Sequence, residues 1–269
     1  MTKTILITGS TDGIGLETAR MLASQGHTLL IHGRSATKLA NVRAELYEIE
    51  GDAKIEIYQA DLSKMSEVEA LATAIADQHQ QLDVLINNAG VYKIPDPFTD
   101  DGFDVRFIVN TIAPYKLMKR LLPLIPRDGR VVNLSSAAQS EVNLEALKGK
   151  IRLDHQGAYA QSKLAITMWS FHLAKSLSDN GPSIIAVNPA SMLASKMVKD
   201  AYGVQGNDLR IGADILVRAA LSDEFASATG RYFDNDLGKF AQPHPDALDA
   251  GKNEQLVQTI EALLTELNV

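Results

Sequence analysis

The chain has 269 residues, 45% hydrophobic and 22% charged, which is enough apolar material for one sizeable globular domain. Its 33 acidic side chains outnumber 26 basic ones, and the formal net charge of −7 argues against a general nucleic-acid-binding surface. With no cysteine, disulfides, thiolate metal sites and cysteine nucleophiles are excluded. The first apolar run is too short for a signal peptide, and no stretch approaches the ~20 apolar residues of a membrane span. A cytoplasmic protein without a membrane span is expected.

Residues 4–8 read as a short apolar strand that runs into Thr8-Gly9-Ser10-Thr11-Asp12-Gly13-Ile14-Gly15, with a helix over 15–25 behind it. Glycines between a strand and a helix allow a tight turn and close backbone approach to a pyrophosphate, toward which the helix start points free N–H groups. The spacing is Gly-x-x-x-Gly-x-Gly, and the lysine of a nucleoside-triphosphate loop is absent. A second strand, 28–32, ends in His32-Gly33-Arg34. An NAD site usually carries a carboxylate here, whereas Arg34 suits the 2′-phosphate of NADP(H). NADP(H) is therefore favoured over NAD(H).

Helices over 38–49, 66–80, 103–122 and 158–178 alternate with strands over 54–59, 84–87, 130–134 and 183–187. Near-continuous apolar strands between helices indicate a parallel sheet covered on both faces. The expected fold is α/β, a Rossmann-type doubly wound parallel sheet in a single domain over 1–269. Two stretches break the rhythm: a polar insert at 137–157, and a segment at 190–208, rich in small residues, that suggests a substrate lid. A last helix near 253–267 carries Leu256, Ile260, Leu263 and Leu267 on one face.

Tyr159 and Lys163 lie four residues apart in the 158–178 helix, so both point from one face. An ammonium beside a phenol favours the phenolate and lowers a titration that is normally near ~10. The six histidines show no metal-ligand spacing, and no metal is expected.

Taken together, the Gly-rich loop, Asp61-Leu62, Asn87-Asn88-Ala89-Gly90, Asn110, Ser135-Ser136, Tyr159-x-x-x-Lys163 and Asn188-Pro189 resemble the short-chain dehydrogenase/reductase family over nearly the whole chain. The long insert makes the chain more similar to the retinol-dehydrogenase-like branch than to the shortest members. The resemblance implies cofactor contacts from Gly9, Ser10, Asp12, Gly13, Ile14, Gly15 and Arg34, and from Asp61 at the adenine amine with Leu62 beside it. Asn88, Ala89 and Gly90 would lie along the cofactor, Asn87 would steady the sheet, and Pro189 and Ser195 would flank the nicotinamide.

The same resemblance implies that Tyr159 is the general acid/base, that Ser136 holds the substrate oxygen, and that Lys163 binds the nicotinamide ribose and acidifies Tyr159. Asn110 would kink its helix and hold a water that relays protons to Lys163. The implied activity is interconversion of a carbonyl and an alcohol. A non-enzymatic NADP(H)-binding regulator on the same fold is the rival reading.

Two departures stand out. Ala190 follows Pro189 where the family usually has glycine. The insert is expected to form a lobe over the pocket and to set substrate shape. Val91, Tyr92, Ile94, Met192, Leu193, Met197 and Tyr202 suggest a hydrophobic substrate. The family resemblance implies a homodimer or homotetramer, while the insert and tail leave a monomer open.

Overall fold

In a computed structural model, residues 2–194, 203 and 206–267 are described. Each apolar run of the sequence becomes a strand with both faces covered. They are β1 (Thr4–Ile7), β2 (Thr28–Gly33), β3 (Lys54–Gln59), β4 (Val84–Asn87), β5 (Arg130–Leu134) and β6 (Ser183–Asn188). Two further short strands, β7 (Arg231–Asp234) and β8 (Lys239–Ala241), were not foreseen. All pair in one sheet of order β3-β2-β1-β4-β5-β6-β7-β8, parallel throughout except for the β7–β8 pair.

The helices start where short polar side chains can cap them. Asp12 caps α1 (Gly13–Ala23), Ser35 caps α2 (Ala36–Tyr47), and α3 (Met65–Gln78) follows. Next come α4 (Val105–Phe107), a π-helical turn at Ile108–Ile112, and α5 (Ala113–Leu121). Asn143 caps the one-turn α6 (Leu144–Leu147), and Asp154 caps the long α7 (His155–Leu177), which begins three residues earlier than its apolar pattern suggests. Asp208 caps α8 (Leu209–Leu221), a helix the sequence reading did not assign, and Asp249 caps α9 (Ala250–Glu266).

Alternation along the strands divides the core. Leu6, Leu30 and Leu85 face one side with Val68 of α3, Leu117 of α5, Trp169 of α7 and Ile260 of α9. Ile5, Ile7, Ile31 and Ile86 face the other, with Leu22 of α1, Leu39 of α2 and Ile215 of α8. Among the described residues no helix is long and apolar enough to cross a membrane.

The insert differs from expectation. Ala146 and Leu147 of α6 are buried in the core, and the Arg152 guanidinium sits 4.3 Å above the Phe98 ring. None of residues 137–157 lines the main cleft. Apolar side chains at one-turn spacing pull the segment against the body, so it braces the 91–104 loop rather than closing over the site.

Candidate active site

The chain runs outward from β1 to β3 on one side and from β4 on the other, so the winding reverses between β1 and β4. A crevice at such a switch point, beyond the carboxyl ends of the strands, is where α/β sheets bind ligands. A cleft of about 1220 Å³ opens there. Every described cofactor residue expected from the sequence lines it except Ser10. Ser195 lies outside the described residues, as do Met197 and Tyr202.

The phosphate loop is built for close approach. Gly9 has φ 66° and Gly13 φ 56°, conformations that side chains disfavour. A Cβ on Gly15 would overlap Asn88 and the Gly9 carbonyl, and one on Gly9 would come within 2.9 Å of Ala89 Cα. The first-turn N–H groups of Ile14 and Gly15 have no helical carbonyl behind them. Asp12 caps the helix start: its carboxylate accepts the Gly13 N–H at 2.8 Å and faces Lys38 Nζ at 3.7 Å. Such a cradle fits a dinucleotide pyrophosphate.

Ser10 is a correction. It is fully buried, its N–H donates to the His32 carbonyl, and its hydroxyl accepts the His32 N–H at 2.9 Å. It ties the loop to β2 and has no donor to offer a cofactor. His32 was overlooked, although a histidine in a buried strand beside a Gly-rich loop is a readable signal. Its Nδ1 accepts the Gly9 N–H at 3.1 Å and its Nε2 donates to the Ala60 carbonyl at 3.1 Å, which fixes the tautomer. Burial pulls its pKa down to about 4, so it stays neutral and holds the loop between β2 and β3.

Asn88 joins β4 to the loop by donating to the Thr8 and Gly9 carbonyls. Asp61 accepts from the Ser63 N–H and hydroxyl through one oxygen while lining the cleft beside Leu62. Arg34 lines the cleft, and its guanidinium has no partner among the described residues. Asn87 donates to Asn133, which donates to Ser170 of α7, a buried link that steadies the sheet as expected.

Across the cleft, α7 presents Tyr159 and Lys163. Lys163 Nζ lies 5.7 Å from the Tyr159 ring centroid, and the Tyr92 ring packs edge-on to Tyr159 at 5.0 Å between centroids. Lys163 is 4% exposed and donates to the Leu134 carbonyl at 2.8 Å. Burial lowers its pKa to about 8. A Cβ on Gly90 would stand 3.5 Å from Nζ, an ordinary contact distance that puts Gly90 beside the ammonium.

Asn110 and Ser136 stand behind the cleft wall. Asn110 occupies the π-helical turn, so the helix is deformed at this residue. Its Oδ1 accepts the Val91 N–H, and its Nδ2 donates to the Val91 carbonyl and Ser162 Oγ. Both side-chain donors are spent on protein groups. Ser135, not Ser136, touches the cleft, but its hydroxyl is engaged with Thr167 Oγ1 at 2.7 Å and the Lys163 carbonyl. Ser136 is partly buried, and its Oγ accepts the Ala138 N–H. Its carbonyl accepts from Tyr232 of β7 and from Gln139, two supports the sequence did not reveal.

The segment after Gly90 lines the cleft with Val91, Tyr92, Ile94 and Phe98 together with Lys93 and Asp96. Leu193 is turned away: it is buried, and a Cβ on Gly212 of α8 would fall 2.6 Å from its Cδ1. Met192 is exposed outside the cleft.

The model of the family described as short chain dehydrogenase matches residues 3–203. Retinol dehydrogenase 12 of Mus musculus is 32% identical over 246 residues, covering 86% of this chain and 77% of that protein. Among solved structures, an uncharacterised protein from Mycobacterium paratuberculosis superposes with a TM-score of 0.80 at 29% identity, covering 98% of this chain and 93% of that one. The landomycin C-6 ketoreductase LanV, solved with bound NADP and rabelomycin, gives a TM-score of 0.69 at 26% identity, covering 87% and 94%.

Proposed function

This chain belongs to the short-chain dehydrogenase family, in its retinol-dehydrogenase-like branch, and from that premise we propose that it interconverts a carbonyl and an alcohol using NADP(H). One observation carries the reading: Tyr159 and the buried Lys163 share a cleft with the Arg34 guanidinium, which has no hydrogen-bond partner among the described residues. In this reading Arg34 takes the 2′-phosphate, while Tyr159 and Lys163 handle the proton. The NADP-bound ketoreductase of similar fold supports the cofactor choice.

When bound, the nicotinamide supplies or accepts the hydride. The chain's own groups handle the proton. Lys163 carries its charge below about pH 8, with no carboxylate among its hydrogen-bond partners. That charge favours the phenolate of Tyr159, so the phenol can protonate a developing alkoxide, or take the proton of an alcohol in reverse. Ser136 lies behind the cleft wall, so in this reading its hydroxyl turns toward the substrate oxygen to donate a hydrogen bond. Val91, Tyr92, Ile94 and Phe98 favour an apolar substrate body.

The test follows NADPH absorbance with aldehydes, ketones and quinones. Turnover of at least one of them is expected, with NADPH preferred to NADH. A protein that binds NADPH tightly but oxidises it with none of them would instead be a regulator.

A further inference from the structure

Ala190 has φ 110°, a left-handed conformation that glycine adopts freely and alanine does not. It directly follows Pro189, which forms the cleft wall at the β6 tip, near Tyr159 and Lys163 and far from Arg34 at the β2 tip. An alanine holds this conformation only if its surroundings impose it.

The surroundings come from the loop between β7 and β8. Ser191 donates its N–H to Asp236 Oδ1 at 2.8 Å and its hydroxyl to Asp236 Oδ2 at 2.6 Å. Asn188 Nδ2 donates to Asp234 Oδ1 and to Asp236 Oδ2, both at 2.9 Å. Asn235 donates its N–H to the Asn188 carbonyl at 3.1 Å and its Nδ2 to the Pro189 carbonyl at 3.0 Å. Residues on both sides of Ala190 are thus held by one turn, and Asp236 grips both flanks with a single carboxylate. Hydrogen bonds to an ionised acceptor are the strong kind.

We propose that Asp236 is a positioning residue for the nicotinamide end of the cleft: by binding Asn188 and Ser191 together it keeps Ala190 in a glycine-like conformation and sets where Pro189 stands. The inference rests on the cofactor reading above. Glycine at 190 would make the clamp dispensable, since it needs no external restraint to adopt this φ.

Two ligands separate positioning from general damage: NADPH, and 2′-phospho-ADP-ribose, which has the phosphorylated end but no nicotinamide. Affinities are measured for the full chain by fluorescence or calorimetry. Asp236→Ala should weaken NADPH roughly tenfold and leave 2′-phospho-ADP-ribose unchanged. Adding Ala190→Gly to Asp236→Ala should return NADPH to within about threefold of the parent, and Ala190→Gly alone should also stay within about threefold.

Unchanged NADPH affinity in Asp236→Ala, equal weakening of both ligands, or failure of Ala190→Gly to rescue would each overturn the proposal. If Asp236→Ala does not fold, Ser191→Ala removes one bond of the clamp. It should weaken NADPH about threefold and selectively, and no change there overturns the proposal as well. A parent that binds neither ligand would sink the cofactor reading itself, and this inference with it.

Discussion

The strand tips of β1, β2 and β4 and those of β5 and β6 serve one cleft by different means. On the first side, glycines stand where glycine is needed: Gly9 and Gly13 take positive φ, and Gly15 leaves room for Asn88. On the second side, Ala190 takes positive φ without being glycine, and its neighbours are held by a loop more than forty residues later in the chain. A local conformation can be written into the residue itself or imposed from a distance. Only the first kind is readable from sequence.

The largest effect that bears on this contrast is at Lys163. Lys163→Met should lower turnover at pH 7 by about 10²-fold or more, because the charge that acidifies Tyr159 is gone. The same variant carries a stability signature. Lys163 titrates near 8 when folded against an ordinary 10.5, so the unfolded chain binds more protons between those values. Stability contributed by this site therefore rises with pH across that window, by about 3 kcal/mol. Urea midpoints of the parent should gain on Lys163→Met from pH 8 to pH 10.

A comparable effect is expected at His32 on the first side. Its pKa is about 4 folded against 6.5 ordinarily, so protonation favours the unfolded chain. The stability it contributes is present above pH 6.5 and is lost as pH falls toward 4, by about 3 kcal/mol. His32→Phe lacks the brace at every pH and should show no such loss, so its urea midpoint should approach the parent's between pH 7 and pH 4.5.

Arg34→Ala should weaken NADPH by roughly 10- to 100-fold, as loss of a charge-assisted contact does, while NADH changes little. Equal loss for both cofactors would detach Arg34 from the 2′-phosphate. The smallest effect belongs to the insert. Arg152→Ala should cost about 0.5–1 kcal/mol in stability, the scale of an exposed cation–π contact, and leave NADPH affinity unchanged. A change in cofactor affinity there would show that the brace on the 91–104 loop reaches the cleft.

Much of the fold was legible because periodicity carries it. The first six strands and most helices follow from apolar runs and amphipathic spacing. β7 and β8 escaped because Arg231–Asp234 and Lys239–Ala241 start or end on charged residues and lack the continuous apolar run of the equally short β1. α8 escaped because Gly212 interrupts its apolar face. In the site, Tyr159, Lys163 and the glycine loop were visible as spacing. Ser10 was misplaced because its burial depends on a partner, His32, 22 residues away. The role of the insert was misjudged because polarity hid the few residues, Ala146 and Leu147, that anchor it.

The central claim is that Tyr159 transfers the proton at the substrate oxygen. It is tested most directly by comparing the parent with Tyr159→Phe on an accepted carbonyl at saturating NADPH, with NADPH affinity measured alongside. The account predicts turnover reduced by roughly 10²- to 10⁴-fold with affinity nearly unchanged. Turnover by Tyr159→Phe equal to that of the parent would contradict it.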